Sequence, residues 1–175
     1  MTDNIREASN KAGKNKKPAA IIQAMIKKAK DNRWEAAQAI PEGFAFLDGY
    51  RMFTVNDSLG YEIVYHDKEN ENGRRGFDCY SILKSCRAAE YTPIEIDTAD
   101  LKTFIKLNKE TKYVKTPYIF KTPEGYAGIN PRFLLDLIEF SGSNTILYNK
   151  KNAPIMNTEK TALVLPVNLK SYKGA

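Results

Sequence analysis

Apolar residues recur at helical spacing in four stretches of the chain. The first, PAAIIQAMIKKAKDNRW at 18–34, places its isoleucines and Met25 on one stripe, and Pro18 suits a first helical residue. Two further helices are predicted over 77–89 and 98–110, the latter capped by Asp97 or Thr98. The fourth, INPRFLLDLIEFSG, has an asparagine cap, then a proline at the first helical position, and a closing glycine at 142.

Alternating and short apolar runs predict strands between these helices. FAFLDGYRMFTVN is typical of a hairpin, with strands at 44–47 and 50–55 and with Asp48-Gly49 as a two-residue type I′ turn. Pro41-Glu42-Gly43 is interpreted as a break in the chain. The other predicted strands are YEIVYH, TPIEID, TPYIFKT, GYAGIN, TILYNK, APIMNT and TALVLPVN, with a turn at 123–125.

The order of these elements predicts an α+β fold. From residue 92 onward the pattern is β-α-β-β-α-β-β-β with short hairpin connections, which favours helices packed on one side of an antiparallel β-sheet. The helices at 98–110 and 131–141 are expected to lie side by side on that sheet. We expect a flexible basic arm at 1–17, a single domain at 18–170 and a short tail at 171–175.

Composition excludes several classes of protein. Hydrophobic residues make up 42% and charged residues 27%, which is enough apolar material for a core. No apolar run approaches the roughly 18 residues of a membrane span, and the polar N-terminus has no signal-peptide core. Cys79 and Cys86 would lie two helical turns apart, too far for a disulfide, so we expect reduced thiols, a cytoplasmic location and no membrane. One histidine and two cysteines predict no metal site, and no cofactor is expected.

The positive charge is concentrated at the N-terminus. Residues 1–34 carry a net charge of +6, which equals the net charge of the whole chain, so the remainder is neutral. An electrostatic argument for nucleic acid therefore belongs to the arm and the first helix. The candidate DNA-binding residues there are Lys11, Lys14, Lys16, Lys17, Lys27, Lys28 and Lys30, and a solubilising tail is the alternative.

Four motifs resemble parts of a known family. INPRFLLDLIEF followed by TALVLPVNL resembles the last half-domain of the bacterial DNA polymerase III β sliding clamp, where a strand ending in Asn leads into an aromatic-Leu-Leu-Asp helix. LDGYRMF and IEIDTADLKTFI are similar to other clamp segments. The resemblance covers 44–169 loosely and 92–169 best, and small clamp-like proteins of phages and integrative elements of Firmicutes have this length. It departs at Asn168, where clamps usually have Arg, and a clamp subunit has three such domains.

The resemblance implies a DNA-clamp-like domain and two kinds of binding residue. Lys102, Lys106 and Lys109 share a face of the third helix, and such a face contacts duplex DNA phosphates without reading bases. Leu163, Leu165, Pro166 and Val167 match positions that help form a groove for short hydrophobic peptides of replication proteins. A solvated helix face and an ordinary closing strand are the alternatives. A ring would require a homo-oligomer.

The sequence therefore favours a non-catalytic, clamp-like protein of DNA replication, expected on a mobile element, that binds DNA, replication proteins or both. The first alternative is a protein-interaction module of the same fold that does not encircle DNA. A small Mg²⁺-dependent nuclease built on Asp97, Asp100, Glu110 and Lys112 is less favoured, because Glu110 and Lys112 fall at a helix end instead of on a strand.

Overall fold

The computed structural model describes residues 18–29, 36–60, 78–108 and 116–169. The chain forms two compact units, Met1–Ala89 and Glu90–Ala175, whereas the sequence predicted one domain over 18–170. Helices and mostly antiparallel strands occur in both units, so the predicted α+β class is confirmed. The predicted strand at 61–66 lies outside the described residues.

The first unit combines a three-stranded antiparallel meander with two helices. Helix α1 spans Pro18–Ala29, strands β1, β2 and β3 span Ala36–Ile40, Gly43–Leu47 and Arg51–Val55, and helix α2 spans Cys79–Ala88. The isoleucines and Met25 predicted on one stripe of α1 are all buried. Strand β1 was not predicted, and it pairs with β2 across Pro41 and Glu42, with Ile40 opposite Gly43.

A buried ion pair closes the β2–β3 hairpin. The predicted type I′ turn at Asp48-Gly49 is wrong by one residue, because the loop residues are Gly49 and Tyr50. Gly49 has a φ of +87° and Tyr50 no positive φ, which fits a type II′ turn. Asp48 Oδ1 accepts from the backbone N–H groups of Tyr50 and Arg51 at 2.9 and 2.8 Å, and Asp48 Oδ2 lies 2.8 Å from Arg51 Nη2. Both side chains are buried, so the pair holds the turn away from water.

Helix α2 begins with two satisfied amides. The Asp78 carboxylate caps it by accepting from Ser81 N at 2.9 Å, and Gln38 Oε1 of β1 accepts from Cys79 N at 2.8 Å. An amide N–H of a first helical turn has no partner within the helix, and here a strand side chain supplies one. The helix predicted over 77–89 is confirmed, and both cysteines are free thiols, as expected.

The second unit contains two helices, a four-stranded antiparallel arrangement and a separate hairpin. Helices α3 and α4 span Thr98–Leu107 and Pro131–Ser141. The strands β4 and β7 to β9 pair in the order β4-β7-β8-β9, and they span Thr92–Glu95, Thr145–Tyr148, Ile155–Asn157 and Ala162–Val164. The separate hairpin is formed by β5, Tyr118–Thr122, and β6, Gly125–Ile129.

The two helices of this unit lie against each other, as predicted, and α4 also packs on β8 and β9. Asp97 caps α3 by accepting from two backbone amides, and Asn130 caps α4 by accepting from Arg132 N at 3.0 Å. Gly142 ends α4 in a left-handed conformation with a φ of +69°. The apolar side chains Leu101, Leu134 and Leu137 are fully buried, so these caps hold helices whose stability comes from packing.

Strand β4 pairs with β7 alone among the described strands. Ile96 N donates to Asn144 O at 2.9 Å, and Pro93 lies opposite Leu147. Because hydrogen-bonded and non-hydrogen-bonded pairs alternate in an antiparallel ladder, Pro93 occupies a position whose N–H would point away from β7. The proline therefore removes no ladder bond between these strands.

Candidate functional site

Among the described residues, a surface groove in the second unit is the candidate for a functional site. It lies between strand β6, the turn after β7 and the segment after β9. Most of its lining is apolar or aromatic, and the lining residues are Tyr126, Ala127, Gly128, Tyr148, Lys151, Asn152, Pro166, Val167 and Leu169. Three separate segments of the chain therefore build one concave surface.

The segment after β9 reaches the groove because it leaves the four-stranded arrangement. Strand β9 ends at Val164, and Val167 then forms a single antiparallel bridge beside β6, in which Val167 N donates to Gly128 O at 2.8 Å. Pro166 precedes this bridge and has no N–H to offer a ladder. The segment then forms one wall of the groove.

A glycine allows the wall to approach the hairpin closely. A Cβ on Gly128 would lie 2.6 Å from Leu169 Cδ2 and 3.3 Å from Pro117 Cβ. Real Cβ atoms essentially never have a neighbour closer than 3.0 Å. Leu169 therefore occupies the space that a side chain at 128 would take, and a larger residue there would require the Leu169 side chain to shift.

The face of the β5–β6 hairpin at the groove is exposed. Tyr126 pairs with Lys121 and Gly128 pairs with Ile119, so these four residues share one face. Tyr126 is 68% exposed, and Ile119 and Lys121 are exposed as well. The other face carries Tyr118, Phe120 and Thr122, which are buried. An exposed tyrosine beside an apolar wall is available to a ligand.

Glu124 joins the tip of the hairpin to the turn after β7. Its Oε2 accepts from Tyr148 Oη at 3.2 Å and from Lys151 N at 3.0 Å. In that turn Ala153 N donates to Lys150 O at 3.0 Å, and Asn152 has a φ of +64°. Burial raises the pKa of Tyr148, and its hydroxyl donates to Glu124. The position of Lys151 at the groove is thus fixed through its backbone.

Two of the four residues predicted to form the groove line it, and two do not. Pro166 and Val167 line the groove, and Leu165 is 39% exposed without lining it. The prediction that Leu163 lines the groove is wrong, because Leu163 is 3% exposed and pairs with Met156 in the core. The lining residues from the hairpin and the turn were not predicted from the sequence. The alternation of β6 could have indicated an exposed Tyr126, but nothing in the sequence places Lys151 beside Pro166.

The predicted DNA-binding lysines are only partly described. Lys102 and Lys106 are exposed and one turn apart on α3, and Lys27 is exposed on α1. The described residues do not include the Lys28 side chain. They also do not include Lys11, Lys14, Lys16, Lys17, Lys30 and Lys109. Lys102 and Lys106 have no carboxylate partner among the described residues. The face predicted from the resemblance therefore has two of its three lysines in place.

The acidic residues considered for a nuclease have structural partners. Asp97 caps α3, and Asp100 Oδ2 accepts from Tyr118 Oη at 2.8 Å. Burial and this hydrogen bond raise the pKa of Tyr118 to about 12. Glu110 and Lys112 lie outside the described residues. In the described ranges there is no group of three or more His, Cys, Asp or Glu residues that could hold a metal ion.

Burial affects both thiols of helix α2. It raises the pKa of Cys79 to about 12, with a contribution from Asp78, and it raises the pKa of Cys86. A thiol with a raised pKa is a weak nucleophile at neutral pH. Within the described ranges, none of the helices has the length and apolar content that a membrane span requires.

Comparisons of this chain with protein-family models, curated proteins and solved structures give no match. Function is therefore inferred from the groove, the exposed lysines and the sequence motifs. Of these, the groove is lined entirely by residues that the structure describes.

Proposed function

We propose that this chain is a non-catalytic, clamp-like protein of DNA replication that holds replication proteins by a short hydrophobic peptide. The observation that carries the proposal is the groove formed where Pro166 and Val167 lie beside β6. These two residues belong to the segment whose sequence resembles the closing strand of the bacterial sliding clamp. The same resemblance, to small clamp-like proteins of phages and integrative elements, supports a role in a mobile element.

The lining suits an apolar ligand of modest affinity. Burial of apolar surface contributes roughly 25 cal/mol per Å², and this groove is small, so its gain before the costs of association is modest. Those costs start at roughly 4 kcal/mol, so the expected Kd is in the millimolar range or weaker. Such an affinity suits a reversible contact with a mobile partner.

The first experiment is a selection of random heptapeptides on the immobilised full-length chain, followed by fluorescence anisotropy with the best synthetic peptide. Tyr126→Ala should weaken binding about tenfold, because Tyr126 lines the groove and is mostly exposed. Tyr80→Ala is the matched control, since Tyr80 is 40% exposed on α2 and lies outside the groove lining. Failure to select any peptide, or equal binding by both variants, would reject the groove.

Duplex DNA is a second candidate partner, and the exposed pair Lys102 and Lys106 supports it. Binding through phosphates should be independent of sequence, and its logarithm should fall with salt at a slope near −0.9 for each phosphate neutralised. Replacing Lys102 and Lys106 by Gln should make the dependence of binding on salt less steep. Replacing four arm lysines (Lys11, Lys14, Lys16 and Lys17) by Gln tests the arm in the same assay. The variant whose binding becomes less dependent on salt identifies the surface that contacts DNA.

Encirclement of DNA requires an oligomer, since a ring is built from several clamp domains. Light scattering of the full chain, with and without a 30-base-pair duplex, separates the two forms of the proposal. A multimer of defined mass supports a ring. A monomer that still binds the selected peptide supports the interaction module that does not encircle DNA.

A further inference from the structure

We propose that the peptide bound in this groove carries an acidic side chain next to its apolar anchors, and that Lys151 receives it. This inference rests on the proposed function, because it specifies the chemistry of the same ligand. The occupant is thus a short partner segment with two apolar side chains and an adjacent Asp or Glu.

The charges around the groove carry the inference. Lys151 is the one charged residue among those lining the groove, and Lys121 flanks Tyr126 across the hairpin. Both lysines are exposed, and neither has an ion-pair partner in the part of the chain that the structure describes. An anionic group entering the groove would therefore meet positive charge not already neutralised by a described carboxylate.

The Glu124 carboxylate is held beside the Lys151 backbone. Glu124 is outside the groove lining, and its Oε2 already accepts hydrogen bonds from Tyr148 Oη and Lys151 N. These bonds fix the Lys151 backbone, and the Lys150–Ala153 turn bond fixes it further. The flexible lysine side chain then starts from a defined point at the groove, which lowers the entropy cost of meeting a ligand charge.

The lining favours a peptide over a nucleic acid. A bound single strand would need several cations along its backbone in addition to an aromatic platform. The wall opposite Tyr126 is instead formed by Pro166, Val167 and Leu169, which are apolar. One lysine beside such a wall matches one carboxylate beside apolar anchors.

The test uses the best peptide from the heptapeptide selection, acetylated and amidated so that its termini carry no charge. Its acidic residue is replaced by the matching amide to give a peptide pair. We expect selected sequences to be enriched in Asp or Glu beside the apolar residues, and the acidic peptide to bind roughly fivefold more tightly than its amide at 50 mM NaCl. At 300 mM NaCl the difference should shrink.

Variants of the full chain assign the charge. Lys151→Glu should abolish the preference for the acidic peptide over its amide. Lys102→Glu makes the same change in net charge on α3, outside the lining, and should leave the preference intact. Loss of the preference only in Lys151→Glu supports the inference.

The outcomes separate this inference from the proposed function. Equal binding of both peptides, with both lost in Tyr126→Ala, would overturn the acidic preference and leave the groove standing. No peptide binding at all would overturn both. A dT12 oligonucleotide is tested as a competitor. If it displaces the peptide, and if Tyr126→Ala no longer binds it, the exposed face of the β5–β6 hairpin binds single-stranded nucleic acid. That result would also overturn the inference.

Discussion

The chain makes the same Pro-Glu-Gly hairpin turn twice, once in each compact unit. Pro41-Glu42 joins β1 to β2, and Pro123-Glu124 joins β5 to β6, with the glycine at the start of the second strand in both. Proline fixes a negative φ at the first loop position, so the positive φ falls on the glycine, at +141° for Gly43 and +119° for Gly125. The local turn chemistry is thus shared.

The two hairpins differ in the surroundings of their second strands. Strand β2 lies between β1 and β3, and its Ala45 and Phe46 are completely buried. Strand β6 has β5 on one side and, among the described residues, only the single Val167 bridge on the other. The residue equivalent to Phe46 is Gly128, and Leu169 occupies its space. One hairpin therefore serves the core, and the other leaves a face open for a ligand.

The largest expected effect comes from the buried hairpin. Phe46→Ala should lower the free energy of unfolding by about 3–5 kcal/mol, because Phe46 is 0% exposed and its removal leaves a cavity. Tyr126→Ala on the exposed hairpin should change it by about 0.5 kcal/mol or less. Urea denaturation followed by circular dichroism measures both. Equal losses would show that the Tyr126 face is covered in solution.

A smaller difference is expected for the carboxylates that hold the turns. Asp48→Ala should cost roughly 3 kcal/mol, since it removes a carboxylate that pairs with the buried Arg51 guanidinium. Glu124→Ala removes two hydrogen bonds of an exposed side chain and should cost roughly 1 kcal/mol. The same urea titration compares them. A milder effect of Asp48→Ala than of Glu124→Ala would contradict the burial of the ion pair.

The two turn glycines should respond unequally to alanine. A Cβ at Gly43 would lie 2.5 Å from the Val55 carbonyl oxygen, whereas a Cβ at Gly125 meets nothing within 4 Å. Both substitutions strain a positive φ, at roughly 1–2 kcal/mol. The clash should bring Gly43→Ala to roughly 2–3 kcal/mol in total. Thermal unfolding of both variants tests this, and identical melting temperatures would argue against the close approach.

The last expected effect depends on pH and belongs to the second hairpin. Its Tyr118 has a pKa raised to about 12 by burial and by the hydrogen bond to Asp100, against about 10 in an unfolded chain. The fold favours the neutral phenol, so this contribution is complete below pH 10 and is lost as the pH rises from about 10 towards 12. Stability should therefore fall less steeply over that range in Tyr118→Phe than in the original chain. Urea denaturation at several pH values measures this. An equal fall in stability with pH in both proteins would contradict the raised pKa of Tyr118.

The best sequence predictions concerned local signals. The motif INPRFLLDLIEFSG encodes a cap, a first-position proline, a buried stripe and a glycine stop within fourteen residues, and all appear in α4. Strand β1 was missed because its sequence AAQAI lacks alternation and alanine favours helices. The repeated Pro-Glu-Gly could have indicated it, since the same triplet was correctly interpreted as a turn before β6.

The groove could be predicted only in part, because it depends on distant segments. Pro166 and Val167 were identified through a family resemblance, but their partners Tyr126 and Lys151 lie earlier in the chain. The lack of a side chain at Gly128 has meaning only once Leu169 is beside it. The turn at Gly49-Tyr50 was misplaced for a related reason, since the buried Arg51 fixes its register.

The proline in β4 has a consequence for how the protein behaves at high concentration. An unpaired strand edge can recruit a strand of another molecule and begin aggregation. Pro93 has no N–H to present on the side of β4 that faces away from β7. An incoming strand would lose a central bond there and meet the pyrrolidine ring in its path. Among the described residues no other strand pairs with this side of β4, so Pro93 disfavours the addition of a strand there and leaves the pairing with β7 intact.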